Sequence, residues 1–83
     1  MGVTLIPALC RAARGLVGMT QADLAEKSNV SLPTIKNFER GASVPYPNNL
    51  AAIVAALETA GVELTNGDQP GVRLAAPAKR PRK

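Results

Sequence analysis

The sequence predicts a mainly α-helical domain of four helices followed by a short C-terminal pair of β-strands. Apolar residues recur at helical spacing in four segments separated by glycine, asparagine or proline, and two later triplets alternate apolar with polar residues. The length of 83 residues is that of one domain. Because Phe38 and Tyr46 are the only aromatic residues, the core must be aliphatic.

The first helix is predicted over residues 5–16. Thr4 is expected to cap it, and Pro7 lies in the first turn, where a missing N–H breaks no helical hydrogen bond. Gly15 and Gly18 bracket its end. Its apolar stripe consists of Ile6, Leu9, Cys10, Ala13 and Val17.

The second helix is predicted over residues 21–27. Thr20 followed by Asp23 indicates an N-cap with an acidic side chain in the first turn, where the helix dipole favours negative charge. Residues 28–30 then form a tight turn, because Asn29 adopts a left-handed backbone conformation at low cost.

Ser31 is expected to cap the third helix, with Pro33 in its first turn and Gly41 at its end. Ile35 and Phe38 provide its inward face, and its outer face is polar. Two short helices joined by a three-residue turn are the arrangement by which small domains place a helix in the DNA major groove. The outer face of the third helix is therefore the candidate DNA-reading surface.

The fourth helix follows a loop over residues 41–47 that contains two prolines and a glycine. Asn48 or Asn49 is expected to cap this helix, and Gly61 stops it. Its inward stripe consists of Leu50, Ile53, Val54 and Leu57.

Two short strands are predicted at residues 62–64 and 72–74, on either side of a segment rich in turn residues. Residues 76–83 contain no large apolar side chain and are expected to be a disordered basic tail, which leaves residues 1–75 as the domain. The basic run at 79–83 can either follow DNA phosphates or remain a solvated tail.

Composition restricts the class of function. Ten Lys and Arg residues against six Asp and Glu residues give a net charge of +4, which favours a polyanionic partner. Histidine is absent and Cys10, a predicted core residue, is the only cysteine, so we expect no disulfide, metal or cofactor. No apolar run approaches the roughly 18 residues that span a bilayer, and no secretory signal is evident. We expect no membrane partner and a location in the bacterial cytosol or nucleoid.

The segment over residues 21–41, QADLAEKSNVSLPTIKNFERG, carries a specific motif. It resembles the Cro/phage-repressor (Xre) helix-turn-helix family, whose members show Gln, Leu-Ala, a turn, Ser or Thr, Ile and Glu-x-Gly at these spacings. The resemblance covers residues 5–61 and implies a four-helix lambda-repressor-like domain. Asn29 stands where the family commonly has glycine.

The resemblance also implies roles for single residues. Asn37 can pair bidentately with adenine, and Lys36 can reach guanine acceptors. For Arg11, which the resemblance does not assign, the position on the first helix allows either a phosphate contact or a place on a solvated helix face. The implied base-reading residues are Leu32, Pro33, Lys36 and Asn37. The residues expected near DNA phosphates are Gln21, Thr34, Arg40, Ser43 and Arg11.

Two further contacts are expected. The resemblance implies a partly buried ion pair between Arg14 on the first helix and Glu39 on the third. Because an isolated two-stranded hairpin leaves strand edges exposed, we predict that it pairs with a second copy of the chain. The alternative is dimerisation by the fourth helix alone. The predicted homodimer contact consists of Val62, Leu64, Val72, Leu74 and the outer side of the fourth helix.

These features together predict a homodimeric, sequence-specific regulator of transcription that binds a double-stranded DNA operator. A repressor is the favoured form, since one small domain can block a promoter by occupying it. The alternative is a protein-interaction module, such as an antitoxin that binds a toxin or an anti-activator that binds an activator. An enzyme is not expected, because the chain lacks His, a motif-placed Cys and a glycine loop for phosphates.

Overall fold

A computed structural model describes residues 5–65 and 70–75, in which four helices precede a two-stranded antiparallel sheet. The predicted fold class is confirmed. The predicted cap Thr4, most of the turn between the strands and the predicted tail at 76–83 lie outside the described residues. The elements are α1 (Pro7–Val17), α2 (Gln21–Ser28), α3 (Leu32–Glu39), α4 (Pro47–Thr59), β1 (Val62–Thr65) and β2 (Gly71–Leu74).

Proline sets the first residue of two helices, and the sequence prediction was wrong at both. Helix α1 begins at Pro7 with Ile6 in an extended N-cap conformation, two residues later than predicted. Helix α4 begins at Pro47 with Tyr46 as its N-cap, so the two asparagines expected as caps lie inside its first turn. In both cases the proline ring disfavours the helical conformation at the preceding residue, and the helix starts at the proline itself.

The ends of the two central helices follow the predicted local chemistry. Thr20 and Asp23 form a reciprocal capping box, with the Asp23 amide 2.9 Å from Thr20 Oγ1 and the Thr20 amide 3.1 Å from Asp23 Oδ2. Asn29 ends α2 in the left-handed conformation with a φ of 59°. Ser31 caps α3 by accepting a hydrogen bond from the Thr34 amide. The turn at Asn29 and the cap at Ser31 thus define where α2 ends and α3 begins.

The apolar side chains of the helices and of β1 meet in one aliphatic core. Helix α2 packs against α3 and α4, while the sheet packs against α1 and α4. None of the described helices is long and apolar enough to cross a membrane. The buried core comprises Leu5, Cys10, Ala13, Met19, Leu24, Val30, Ile35, Phe38, Ile53, Ala56, Leu57, Val62 and Leu64.

The sheet turns its apolar face toward the core of its own chain. Val62 pairs with Leu74 and Leu64 pairs with Val72, so these four side chains share one face of the hairpin. Val62 and Leu64 are only 2% and 8% exposed, and Val72 is partly buried against the same core. Leu74, in contrast, is 54% exposed. Of the four residues predicted at a dimer contact, the structure therefore leaves mainly Leu74 on the surface.

Candidate nucleic-acid interface

Helix α3 separates a buried face from an exposed one. Ile35 and Phe38 lie in the core, while Pro33 and Lys36 are exposed on the opposite side. The remaining predicted DNA contacts on this helix and the loop after it are half-buried or exposed, and they comprise Leu32, Thr34, Asn37, Arg40 and Ser43. The side chains expected to face DNA thus all lie outside the core.

Glu39 differs from the other buried residues of α3 because it is charged. Its side chain is only 2% exposed. Arg14 donates to it twice, from Nε to Oε2 at 2.8 Å and from NH2 to Oε1 at 2.7 Å. The Cys10 thiol donates to Oε2 at 3.0 Å, and Gln21 Nε2 donates to Oε1 at 3.0 Å. One carboxylate therefore joins α1 and α2 to the end of α3.

The backbone around this ion pair is bound as well. Arg14 NH1 donates to the Met19 carbonyl at 3.0 Å, which fixes the turn before α2. Arg11 NH1 donates to the backbone carbonyl of Glu39. Two arginines one helical turn apart on α1 thus hold both the side chain and the main chain of Glu39, and the position of α3 relative to α1 is set by charge-assisted hydrogen bonds.

The pKa values of this cluster follow from burial and hydrogen bonding. Burial alone would raise the pKa of the Glu39 carboxyl, but the hydrogen bonds from Arg14, Cys10 and Gln21 together hold it below its ordinary value of 4.5. Burial, together with the bond to Glu39, raises the pKa of the Cys10 thiol. At neutral pH the carboxylate is therefore charged and the thiol is a neutral donor to it.

A shallow concavity opens beside the ion pair, between α1, the start of α2 and the end of α3. Because Glu39 is neutralised by Arg14, the cations that remain in this basic concavity favour an anion. Among the described residues no group of His, Cys, Asp or Glu side chains is placed to hold a metal ion. The basic concavity is lined by Arg11, Arg14, Gln21, Lys36, Glu39 and Arg40.

The structure thus brings together some of the predicted site residues and separates others. Three of the predicted phosphate contacts, Arg11, Gln21 and Arg40, line the basic concavity with the predicted base reader Lys36. Thr34 instead shares a hydrogen bond of 2.7 Å with the Ser31 hydroxyl at the start of α3. The Ser43 amide donates to the Asn37 carbonyl at 3.4 Å.

Sequence reasoning missed several of these contacts, and two of them show why. The first is the Cys10 bond to Glu39, which no local pattern indicates because 29 residues separate the partners. The second joins Arg40 to Asn37, whose Oδ1 accepts from Nε at 3.2 Å and from NH2 at 2.9 Å. The spacing of three residues on one helix is a signal that could have found this second contact.

Comparison with known proteins identifies the family. A sequence model of the helix-turn-helix family matches residues 11–64. The chain belongs to the Cro/C1-type helix-turn-helix family. This match includes all four helices apart from the first residues of α1, and it ends in β1. Members of the Cro/C1-type family are DNA-binding transcriptional regulators, and the predicted resemblance is confirmed.

Solved structures of Cro/C1-type proteins share the fold. The restriction-modification controller protein C.Esp1396I is 35% identical over 63% of this chain and 68% of its own, with a TM-score of 0.59. The DNA-binding domain of the P22 C2 repressor, determined by nuclear magnetic resonance, is 33% identical over 70% of this chain and 76% of its own, with a TM-score of 0.61. No curated protein sequence shows a significant match.

Replacing Arg14 with Met tests the role of the ion pair in stability. The variant leaves the Glu39 carboxylate buried without its cation, which should cost about 3–5 kcal/mol of unfolding free energy at neutral pH. In the native protein the lowered pKa of Glu39 contributes stability above about pH 4.5 that is lost as the pH falls through the folded value. In the variant, burial without Arg14 raises the pKa of the Glu39 carboxyl. Protonation at low pH then removes the free-energy cost of a buried charge. The stability difference should therefore shrink on acidification.

Urea unfolding between about pH 7 and pH 4 measures this difference. Arg73→Met is the matched control, because Arg73 forms a 3.1 Å ion pair with Glu63 in which both side chains are exposed. Exposed ion pairs contribute little to the free energy of unfolding. A stability difference between Arg14→Met and the native protein that stays constant or grows on acidification would contradict the assigned role.

Proposed function

We propose that the protein is a transcriptional repressor that binds an inverted-repeat DNA operator as a homodimer, with residues 31–40 in the major groove. The observation that carries the proposal is the basic concavity at the edge of the exposed face of α3. A helix that enters the groove places its flanking cations against the sugar-phosphate backbone, where they supply most of the sequence-independent affinity.

The contacts to phosphate come from three helices. Gln21 lies at the first position of α2, so its amide stands beside backbone N–H groups that favour an anion. One N–H of its Nε2 is used by Glu39, which leaves the second free to donate to a phosphate. Arg11 from α1 and Arg40 from the end of α3 add positive charge on either side. Thr34 and Ser43 complete the proposed set of phosphate contacts.

The contacts to bases come from the exposed face of α3. Pro33 and Leu32 offer only apolar surface, such as contact with a thymine methyl group. Lys36 is exposed but also lines the basic concavity, so its ammonium can reach a guanine or a phosphate. Asn37 is the polar side chain on this face with both a donor and an acceptor. Direct sequence readout therefore depends strongly on Asn37.

Similarity to the solved structures supports repression. The P22 protein is named as a repressor, and the C.Esp1396I protein is named as a controller of a restriction-modification system. Both share more than 30% identity with this chain, over 63% and 70% of its length. A domain of this kind acts most simply by occupying a promoter, which is the basis for proposing repression over activation.

The proposed dimer uses the exposed part of the sheet around Leu74 and the outer side of α4. The sheet of the described residues has two strands, and Leu74 presents a large apolar side chain there. Pairing across a two-fold axis would cover this surface on both protomers. Two recognition helices would then meet half-sites about 34 Å apart, one turn of the DNA helix.

Selection of bound fragments from random double-stranded DNA tests the DNA-binding proposal. We expect enrichment of two inverted half-sites about one helical turn apart at roughly 150 mM salt, where purely electrostatic binding is suppressed. Footprinting should show protection on one face of the duplex. Failure to enrich any sequence would contradict the proposal and favour the protein-interaction alternative.

The oligomeric state tests the proposed dimer contact. Leu74→Glu should raise the dimer dissociation constant at least about tenfold, because burying a leucine contributes about 1.5–3 kcal/mol. Val44→Glu is the control, since Val44 is 79% exposed in the loop before α4. Sedimentation equilibrium measures both. A dimer that survives Leu74→Glu but dissociates with Ala55→Glu on α4 would place the contact on that helix alone.

A further inference from the structure

The contact between Arg40 and Asn37 fixes which way the Asn37 amide faces. Arg40 approaches this amide with two N–H groups, from Nε at 3.2 Å and from NH2 at 2.9 Å. A guanidinium has donors and no acceptor, so the amide atom that faces it must be the carbonyl oxygen. The Nδ2 end of Asn37, which only donates, is therefore turned away from Arg40.

This orientation changes what Asn37 can recognise. A bidentate contact with adenine needs Oδ1 to accept from the adenine amino group while Nδ2 donates to N7. The two lone pairs of Oδ1 are both occupied by Arg40. What remains is an NH2 group with two N–H donors. In the major groove, guanine offers two neighbouring acceptors, N7 and O6, and matches such a group better than adenine.

Arg40 can keep this contact while it binds DNA. Its guanidinium has five N–H donors, of which the bonds to Asn37 use two, and three remain for a phosphate. Arg40 also lines the basic concavity, where the phosphate is proposed to lie. The Asn37 backbone is held in addition, because its carbonyl accepts from the Ala42 amide at 2.8 Å and from the Ser43 amide at 3.4 Å.

We propose that Arg40 is a positioning residue that sets the base preference of Asn37, so that the pair selects guanine over adenine at one position of each half-site. This inference rests on the proposed function, because it assumes that α3 enters the major groove. It replaces the adenine contact that the family resemblance implies for Asn37. The physical reason is that a single acceptor atom cannot serve both a guanidinium and an adenine amino group fully.

The test is the same DNA selection carried out with single-residue variants. The position whose preference disappears in Asn37→Ala is the one that Asn37 reads. At that position the native protein should enrich guanine over adenine. Arg40→Ala frees Oδ1, and the ratio of guanine to adenine should fall by about tenfold, the effect of exchanging one bidentate pair for another.

Two controls separate base preference from charge. Arg40→Lys keeps the positive charge for the phosphate but loses the planar guanidinium, whose two N–H groups bind Asn37 Oδ1 together. It should therefore shift the base ratio while retaining more DNA affinity than Arg40→Ala. Arg11→Ala removes a cation from the same concavity without touching Asn37, so it should lower affinity and leave the base ratio unchanged.

The outcomes distinguish this inference from the proposed function. Enrichment of adenine by the native protein, or a base ratio in both Arg40 variants that equals the native ratio, would overturn the inference while the DNA-binding proposal stands. The absence of any enriched sequence would overturn the proposed function and the inference with it.

Discussion

The arrangement of the first three helices depends on one buried carboxylate. Glu39 lies at the end of α3 and accepts hydrogen bonds from Cys10, Arg14 and Gln21, which belong to α1 and α2. A buried charge is costly unless every lone pair is used, and here the donors surround both carboxylate oxygens. Among the described residues no buried side-chain nitrogen or oxygen is left without a partner. If the helices moved relative to one another, the buried carboxylate would lose hydrogen bonds, and the free-energy cost of this loss restricts their relative positions.

The same carboxylate organises the surface proposed to meet DNA. Its negative charge is paired with Arg14, and it accepts a hydrogen bond from one N–H of Gln21. The positive charges of Arg11, Lys36 and Arg40, which also line the basic concavity, are not neutralised by Glu39. A net positive surface thus forms beside a buried negative charge. In the proposed function, folding and phosphate binding use different donors of the same cluster, so that both are compatible with one small core.

The parts of the molecule that local rules control could be predicted from the sequence. The capping box at Thr20, the left-handed turn at Asn29 and the alternating strands all depend on neighbours within a few residues. The prolines that begin α1 and α4 also act locally, but our prediction gave more weight to the preference for polar caps than to the effect of proline on the preceding residue. The Cys10 bond to Glu39 and the burial of Val62 depend on tertiary packing, which no single stretch of sequence encodes.

The central claim is that the cations around Glu39 bind DNA phosphates, and the salt dependence of DNA affinity tests it most directly. The measurement compares the native protein with Arg11→Ala, which removes a cation of the basic concavity, and with Arg73→Ala, which removes an exposed cation on β2. The slope of log affinity against log salt should decrease in magnitude by about 0.9 for Arg11→Ala, the value for one lost phosphate contact, and should not change for Arg73→Ala. Equal changes in the two variants would mean that only net charge matters and would contradict the claim.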